Sequence, residues 1–123
     1  MTTPSEILDA AADLIEPEGA FTKGAFGRDA LGRKLLAAEL DRAVCFCTIG
    51  AVIKAGGFHG VTDRGLHATM RFHPEFGAIL WDVVTWSDRP GRKSESAVSA
   101  LRRAADLARA AETTPETVEG RGA

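Results

Sequence analysis

The chain has 123 residues, of which 45% are hydrophobic and 26% are charged, and its net charge at pH 7 is -2. This composition is typical of one small globular domain, which we expect over residues 1–112. The charge argues against nucleic acid and anionic membranes as partners, and no apolar run approaches the roughly 20 residues that span a bilayer. The first residues lack the basic and apolar regions of a secretion signal, so we expect a cytoplasmic protein.

The first predicted element is a helix that begins at Pro4. Thr3 suits the N-cap and Glu6 the third helical position, so the two side chains are expected to form a capping box. Pro17 and Gly19 end the helix. Its apolar residues recur at helical spacing and form a single stripe: Ile7, Leu8, Ala11, Leu14 and Ile15.

Residues 20–36 contain Gly24, Gly27 and Gly32 and have no helical period. The polar start and terminal glycine of residues 29–32 are typical of a tight turn. We therefore predict a small β-hairpin or an ordered loop, with a flexible connector as the alternative. The three glycines could also form a phosphate cradle, but no Lys-Ser pair follows them, which favours a turn-forming role.

Residues 41–55 are apolar on almost every side, so periodicity does not separate a buried helix from a buried strand. The β-branched residues favour a strand, whereas the length of the run and the glycines at 56 and 57 favour a helix. We predict a central helix in which Gly50 and Ala51 allow a neighbouring segment to approach closely.

Both cysteines of the chain, Cys45 and Cys47, lie in this apolar run. On a helix, residues two apart point about 200° away from each other and cannot share a metal. On a strand they could, but no second cysteine pair completes a four-ligand site. A nucleophilic Cys47 would need a nearby base and a partly wet environment. We expect both thiols to be buried and inert, and we predict neither a metal nor a cofactor.

Residues 63–87 are predicted to form two helical pieces that divide near His73 and Pro74. The apolar face of the first piece consists of Leu66, Met70 and Phe72, and that of the second of Phe76, Ile79, Leu80, Val83 and Val84.

The last predicted helix covers residues 94–111, with Val98, Leu101, Ala105 and Ala108 facing inward. Residues 113–123 are rich in Thr, Pro, Glu and Gly and have no apolar anchor, which predicts a disordered tail. The whole pattern predicts a mainly α fold: a compact bundle of four to five helices, with the small β-hairpin or ordered loop between helices one and two.

The segment Trp-Ser-Asp-Arg-Pro-Gly-Arg covers residues 86–92 and precedes the last helix. Proline followed by glycine predicts a type II turn over residues 89–92. In a structural interpretation Trp86 seals the core and Asp88 accepts hydrogen bonds from turn amides. In a functional interpretation Trp86, Asp88, Arg89 and Arg92 form a docking edge, because Trp and Arg commonly anchor interfaces.

The last helix carries further cations that could extend this basic surface. They are Arg102, Arg103 and Arg109, but Glu95 and Asp106 lie between them in sequence. A solvated face with salt bridges is therefore the simpler interpretation.

Several of these landmarks together resemble the DUF6197 family, small bacterial and bacteriophage proteins of unknown function. They are the helix at residues 7–15, the stretches at 24–26 and 28–32, the stretch at 47–51, and Trp-x-Asp-x-Pro-Gly-Arg at 86–92. The similarity covers roughly residues 6–109 and implies a mostly helical domain, but it supplies no activity. In two departures, Lys93 stands where the family usually has Thr, and Cys45 is additional.

No common nucleotide-binding, hydrolase or metalloprotease motif occurs in the chain. His59, His67 and His73 lack the spacing of a helical metal pair, and only the fold could gather them with Asp63 and Asp82.

We therefore expect a non-enzymatic protein-interaction or regulatory module that is associated with a phage or mobile element and binds a host or phage protein. The alternative is a small-ligand or nucleotide-binding protein, or a minor enzyme, with a pocket near residues 20–36 formed by Arg28, Asp29 and His67. The alanine-rich last helix also leaves a homodimer open.

Overall fold

A computed structural model of the protein describes residues 2–113. Over this range the chain forms five α-helices, one 3₁₀ helix and a three-stranded antiparallel sheet. The mainly helical character predicted from the sequence is confirmed. No helix in the described range is both long and apolar enough to cross a membrane.

The first and last helices, α1 (Pro4–Ile15) and α5 (Ser94–Thr113), pack along each other in antiparallel orientation. The predicted capping box is present, because Thr3 Oγ1 accepts a hydrogen bond from Glu6 N and Glu6 Oε1 accepts one from Thr3 N. Both ends of the pair are tied. The Glu112 carboxylate accepts hydrogen bonds from the backbone and hydroxyl of Ser5, and the Ser94 hydroxyl donates to Ile15 O.

The prediction of one central helix over residues 41–55 is wrong for its first half. The 3₁₀ helix Ala37–Arg42 ends there, Cys45–Phe46 form a strand, and α2 (Thr48–Gly56) begins only after Cys47. The cause is the backbone at residues 45 and 46, which pairs with the hairpin and is therefore extended. The Cys47 sulfur then caps α2 by accepting a hydrogen bond from Gly50 N.

The sheet confirms the hairpin predicted within residues 20–36. Strands β1 (Gly27–Arg28) and β2 (Lys34–Leu35) pair antiparallel, and β3 (Cys45–Phe46) adds on the other side of β1. Position 27 requires glycine, because a Cβ atom there would lie only 2.9 Å from Cys45 O.

Two short helices follow, α3 (Arg64–Met70) and α4 (Trp81–Ser87), so the predicted division of residues 63–87 is present. The second helix, however, begins at residue 81 and not directly after Pro74. The Asp82 carboxylate accepts hydrogen bonds from the backbone N–H groups of residues 77–79, which holds this stretch in a loop. Ile79, predicted to face inward, is consequently exposed.

The predicted type II turn over residues 89–92 is also present: Arg92 N donates to Arg89 O and Gly91 has a φ of 84°. The last helix extends slightly beyond the prediction, to Thr113, and the remainder of the predicted disordered tail lies outside the described residues.

The closest approach between the helical part and the sheet is made by Gly50 on α2. A Cβ atom at this position would overlap the carbonyl oxygen of Phe26, which itself accepts a hydrogen bond from Cys47 N. Backbone therefore packs on backbone, and the close approach predicted for Gly50 is confirmed.

We expect Gly50→Ala to lower the free energy of unfolding by at least about 2 kcal/mol, because the added methyl group has no space and forces α2 away from the hairpin. Chemical denaturation measures the change. Gly60→Ala is the matched control, since a Cβ there would be 3.8 Å from its nearest neighbour, Ala37 Cβ. Equal stability of the two variants would contradict the packing described here.

Candidate functional site

Arg28 and Asp29, two of the three residues predicted for a ligand pocket, hold the hairpin together. The Arg28 guanidinium donates hydrogen bonds to Thr22 Oγ1, Lys23 O and Gly32 O. The Asp29 carboxylate accepts bonds from the backbone N–H groups of residues 31 and 33 and pairs with Arg33 at 2.8 Å. The hydrogen bonds from Arg33 and Leu31 lower the pKa of Asp29. Both side chains therefore act as parts of the scaffold.

The hairpin is fastened to the turn that follows α4. Asp88 Oδ1 accepts a hydrogen bond from Gly24 N at 3.1 Å, and Lys23 Nζ donates to Arg89 O at 3.3 Å. On the buried side, Thr48 at the start of α2 hydrogen-bonds through its hydroxyl to Ser87 Oγ at 2.9 Å. Hydrogen bonds thus connect the end of α4 both to the hairpin and to the start of α2.

A pocket of about 360 Å³ opens where these three elements meet. We call it the hairpin pocket. Its apolar walls come from the hairpin and from α4, Lys34 and Asp88 are its charged members, and the Cys47 side chain also lines it. The lining residues are Gly24, Ala25, Phe26, Lys34, Leu35, Leu36, Cys47, Trp81, Val84 and Asp88.

Two large apolar side chains of this pocket are exposed to solvent. Trp81 exposes 49% of its surface and Leu36 exposes 69%. Neither residue was predicted from the sequence as part of a site. For Leu36 a signal was present, because adjacent residues of an extended segment face opposite sides, and Leu35 is the one that is buried.

The two cysteines differ in their surroundings. Cys47 is buried as predicted, and burial raises the pKa of its thiol to about 11, so the thiol is protonated at neutral pH. The prediction that Cys45 is also buried is wrong, because this strand residue is only partly covered.

The predicted edge of Trp86, Asp88, Arg89 and Arg92 is divided between two pockets. Asp88 lines the hairpin pocket, whereas Trp86 and Arg92 line a separate groove of about 390 Å³ next to α5. There the Arg92 guanidinium lies 4.0 Å from the centre of the Trp86 ring, and Arg92 Nε donates to Trp86 O. Arg89 is exposed beside Asp88.

His73 also packs against this indole, with its ring centre 5.0 Å from that of Trp86 in an edge-on arrangement. Its Nδ1 accepts a hydrogen bond from Glu75 N, while Nε2 is the one buried side-chain nitrogen or oxygen without a partner in the described range. Burial, together with the Arg92 guanidinium, lowers the pKa of His73 to about 4. The ring is therefore neutral at physiological pH.

The remaining histidines and aspartates do not assemble into a site. His67 Nε2 contacts Val61 O, so this residue does not join Arg28 and Asp29 as predicted for the ligand pocket. Asp63 accepts hydrogen bonds from the backbone N–H groups of His59 and Gly65, which lower its pKa. Across residues 2–113 no group of three or more His, Cys, Asp or Glu side chains is placed to hold a metal ion.

Two of the three arginines singled out on the last helix, Arg102 and Arg109, are paired with acidic residues, whereas Arg103 lines the groove beside Trp86. Arg102 contacts Asp9, Asp13 and Glu16, and Arg109 contacts Asp9 as well as Asp106. Hydrogen bonding to Asp13 raises the pKa of Arg102. The salt-bridged face favoured by the sequence is present, although most of its acidic partners come from α1.

The glycines considered for a phosphate cradle also have structural roles. Gly24 and Gly32 have positive φ values of 80° in turns, and Gly27 lies against Cys45 O within the sheet. Their arrangement is that of a hairpin with tight turns, which is the role that the sequence favoured.

The structure is therefore that of a small, mainly α domain with a three-stranded sheet. Its hairpin and α4 form the walls of a mostly apolar pocket. The chain belongs to the DUF6197 family, a family of unknown function whose model matches residues 1–107. This confirms the resemblance found in the sequence. No match was found among the curated proteins or among the solved structures.

The buried His73 predicts a pH-dependent stability. The unfolded chain protonates this histidine near pH 6.5, whereas the folded protein does so only near pH 4. The unfolded state thus binds more protons between these values, and the free energy of unfolding falls by about 3 kcal/mol as the pH drops through this window. Hydrogen bonds also lower the pKa values of four carboxylates from their ordinary values, which are 4.5 for Glu and 3.8 for Asp. These groups reduce the free energy of unfolding further only toward the acid end of this pH window. They are Glu6, Asp29, Asp63 and Asp82.

Denaturation of the wild-type protein and of His73→Asn at several pH values tests this expectation. Asparagine offers an acceptor oxygen to Glu75 N but does not titrate. We expect the variant to lose most of the pH dependence between pH 6.5 and 4.5. An unchanged slope would mean that His73 is not the buried neutral group described here.

Proposed function

We propose that this protein is a non-enzymatic interaction module that binds an apolar segment of a partner protein in the hairpin pocket. The observation that carries the proposal is the exposure of Trp81 and Leu36 at a concave apolar surface. Single exposed apolar residues are ordinary, but two of them beside a pocket form the kind of apolar patch that marks binding sites. Tryptophan is also among the residues that contribute most to binding energy at interfaces.

The rigidity of the pocket supports the same proposal. Arg28 connects the two loops of the hairpin, and Asp88 fixes Gly24 relative to α4. Since these walls are held by hydrogen bonds within the free protein, binding needs little reordering of the backbone and loses correspondingly little entropy.

The predicted docking edge therefore moves in this proposal from Trp86 and Arg92 to the other side of α4. The Trp86 ring has Arg92 against its face and His73 nearby, so much of its binding surface is already used within the chain. Trp81 has no such cover.

A small apolar ligand is the second candidate, because the pocket volume of about 360 Å³ falls in the range of ligand sites and its walls are mostly apolar. It corresponds to the pocket expected near residues 20–36, with a different set of lining residues. The exposed apolar surface of Leu36 and Trp81 at the pocket favours a protein segment, which covers more area than a small ligand.

Selection from a library of displayed random peptides tests the proposal. We expect the wild-type protein to enrich peptides that share a large apolar residue, and Trp81→Ser to weaken their binding about tenfold or more, because the indole forms part of the contact. Leu107→Ser is the matched control, since it removes an exposed apolar residue on α5 that does not line the hairpin pocket. Its binding should equal that of the wild type.

Failure to enrich any peptide family would contradict the proposal. So would enrichment of peptides whose binding is unchanged in Trp81→Ser, since they would dock elsewhere. Melting curves of both variants show whether a loss of binding reflects a loss of fold.

A further inference from the structure

The charges around the hairpin pocket are mostly positive, although the chain as a whole carries a net charge of -2. Lys34 lines the pocket directly. Lys23 and Arg89 are the chain neighbours of the lining residues Gly24 and Asp88, and they meet where Lys23 Nζ donates to Arg89 O. We call Lys23, Lys34 and Arg89 the basic rim.

The basic rim has no carboxylate partner within residues 2–113. Five other cations within the same residues do have one: Arg33, Arg42, Lys54, Arg102 and Arg109. Others in this range, such as Arg92 and Arg103, have none, so the rim is distinguished by its place beside the apolar pocket. The rim is thus a place where positive charge faces solvent beside an apolar surface.

The nearby carboxylates are bound to backbone groups. Asp88 Oδ1 accepts the hydrogen bond from Gly24 N, and Asp82 Oδ2 accepts three from residues 77–79. Those three bonds also lower the pKa of Asp82. A third carboxylate, Glu39, accepts a hydrogen bond from the lining residue Leu36 and is paired with Arg42. Asp88 and Asp82 reduce the field of the rim, and its three positive charges against these two leave an excess of one.

From this charge pattern we infer that the partner segment is acidic: a large apolar side chain that enters the hairpin pocket, with Asp or Glu on either side that meets the basic rim. The inference rests on the proposed function, since it concerns the same pocket. Carboxylates placed beside the anchor would meet Lys34 on the hairpin or Arg89 in the turn after α4.

Exposed charge pairs contribute little individually, and salt screens them. Their larger effect is on the association rate and on the choice between partners of opposite charge. The expected signature is therefore a preference for acidic over neutral and basic peptides that becomes smaller as the salt concentration rises.

Three synthetic peptides test the inference by fluorescence anisotropy. All have one central Trp, flanked on both sides by Asp and Glu, by Ser and Gly, or by Lys and Arg. We expect the acidic peptide to bind about threefold to tenfold more tightly than the neutral one at low salt, the basic peptide to bind most weakly, and the differences to shrink at high salt.

Charge-reversal variants show which residues cause the preference for the acidic peptide. Lys34→Glu and Arg89→Glu should each remove or invert the preference for the acidic peptide, measured as the ratio of its affinity to that of the neutral peptide for the same variant. Lys54→Glu is the control, because it changes the net charge equally but lies by Asp41, outside the hairpin pocket. It should leave the preference unchanged.

The outcomes separate the two proposals. If all three peptides bind equally and Trp81→Ser weakens each of them, the inference about charge is wrong and the proposed function stands. If Lys54→Glu acts as strongly as Lys34→Glu, the effect is one of net charge and the inference is also wrong. If no peptide of any charge binds, both fail.

Discussion

Gly50 in the first turn of α2 packs directly on the carbonyl group of Phe26, the residue before β1. A Cβ atom at position 50 would overlap that carbonyl oxygen, so the close contact between α2 and the hairpin requires glycine. The neighbouring hydrogen bond from Cys47 N to Phe26 O fixes the same junction. Because interiors are tightly packed, a junction made by two backbones has little freedom to adjust.

The hairpin pocket adjoins this junction. Phe26 is held on α2, and the hairpin pocket lies between the hairpin and α4. Asp88 and Gly24 connect the two walls, while Trp81 and Leu36 are in contact with water. The same polar residues that look like candidates for chemistry, Arg28, Asp29, Asp63 and Asp82, satisfy backbone groups in the turns of the fold. Polar side chains thus hold the turns, and mostly apolar side chains line the hairpin pocket.

Local signals in the sequence predicted the parts of the fold that depend on neighbouring residues: the capping box at Thr3 and Glu6, the hairpin, and the turn at Pro90 and Gly91. The sequence is less informative about segments whose conformation depends on contacts with residues distant in the chain. Residues 45 and 46 are extended because β1 pairs with them, which the apolar pattern of residues 41–55 does not encode. The site was predicted only in part. The sequence pointed to residues 86–92 and to the hairpin, but the exposure of Trp81 depends on a loop that Asp82 holds open.

We propose that partner binding takes place in the hairpin pocket and not in the groove beside Trp86 and Arg92. NMR of the ¹⁵N-labelled protein distinguishes the two surfaces, because backbone and indole N–H resonances can be followed during titration with an apolar-anchor peptide. We expect the shifts to concentrate at residues 24–26, 34–36 and 81–88 and at the Trp81 indole N–H. Shifts centred on the Trp86 indole and the first turns of α5, with residues 24–26 unmoved, would contradict it.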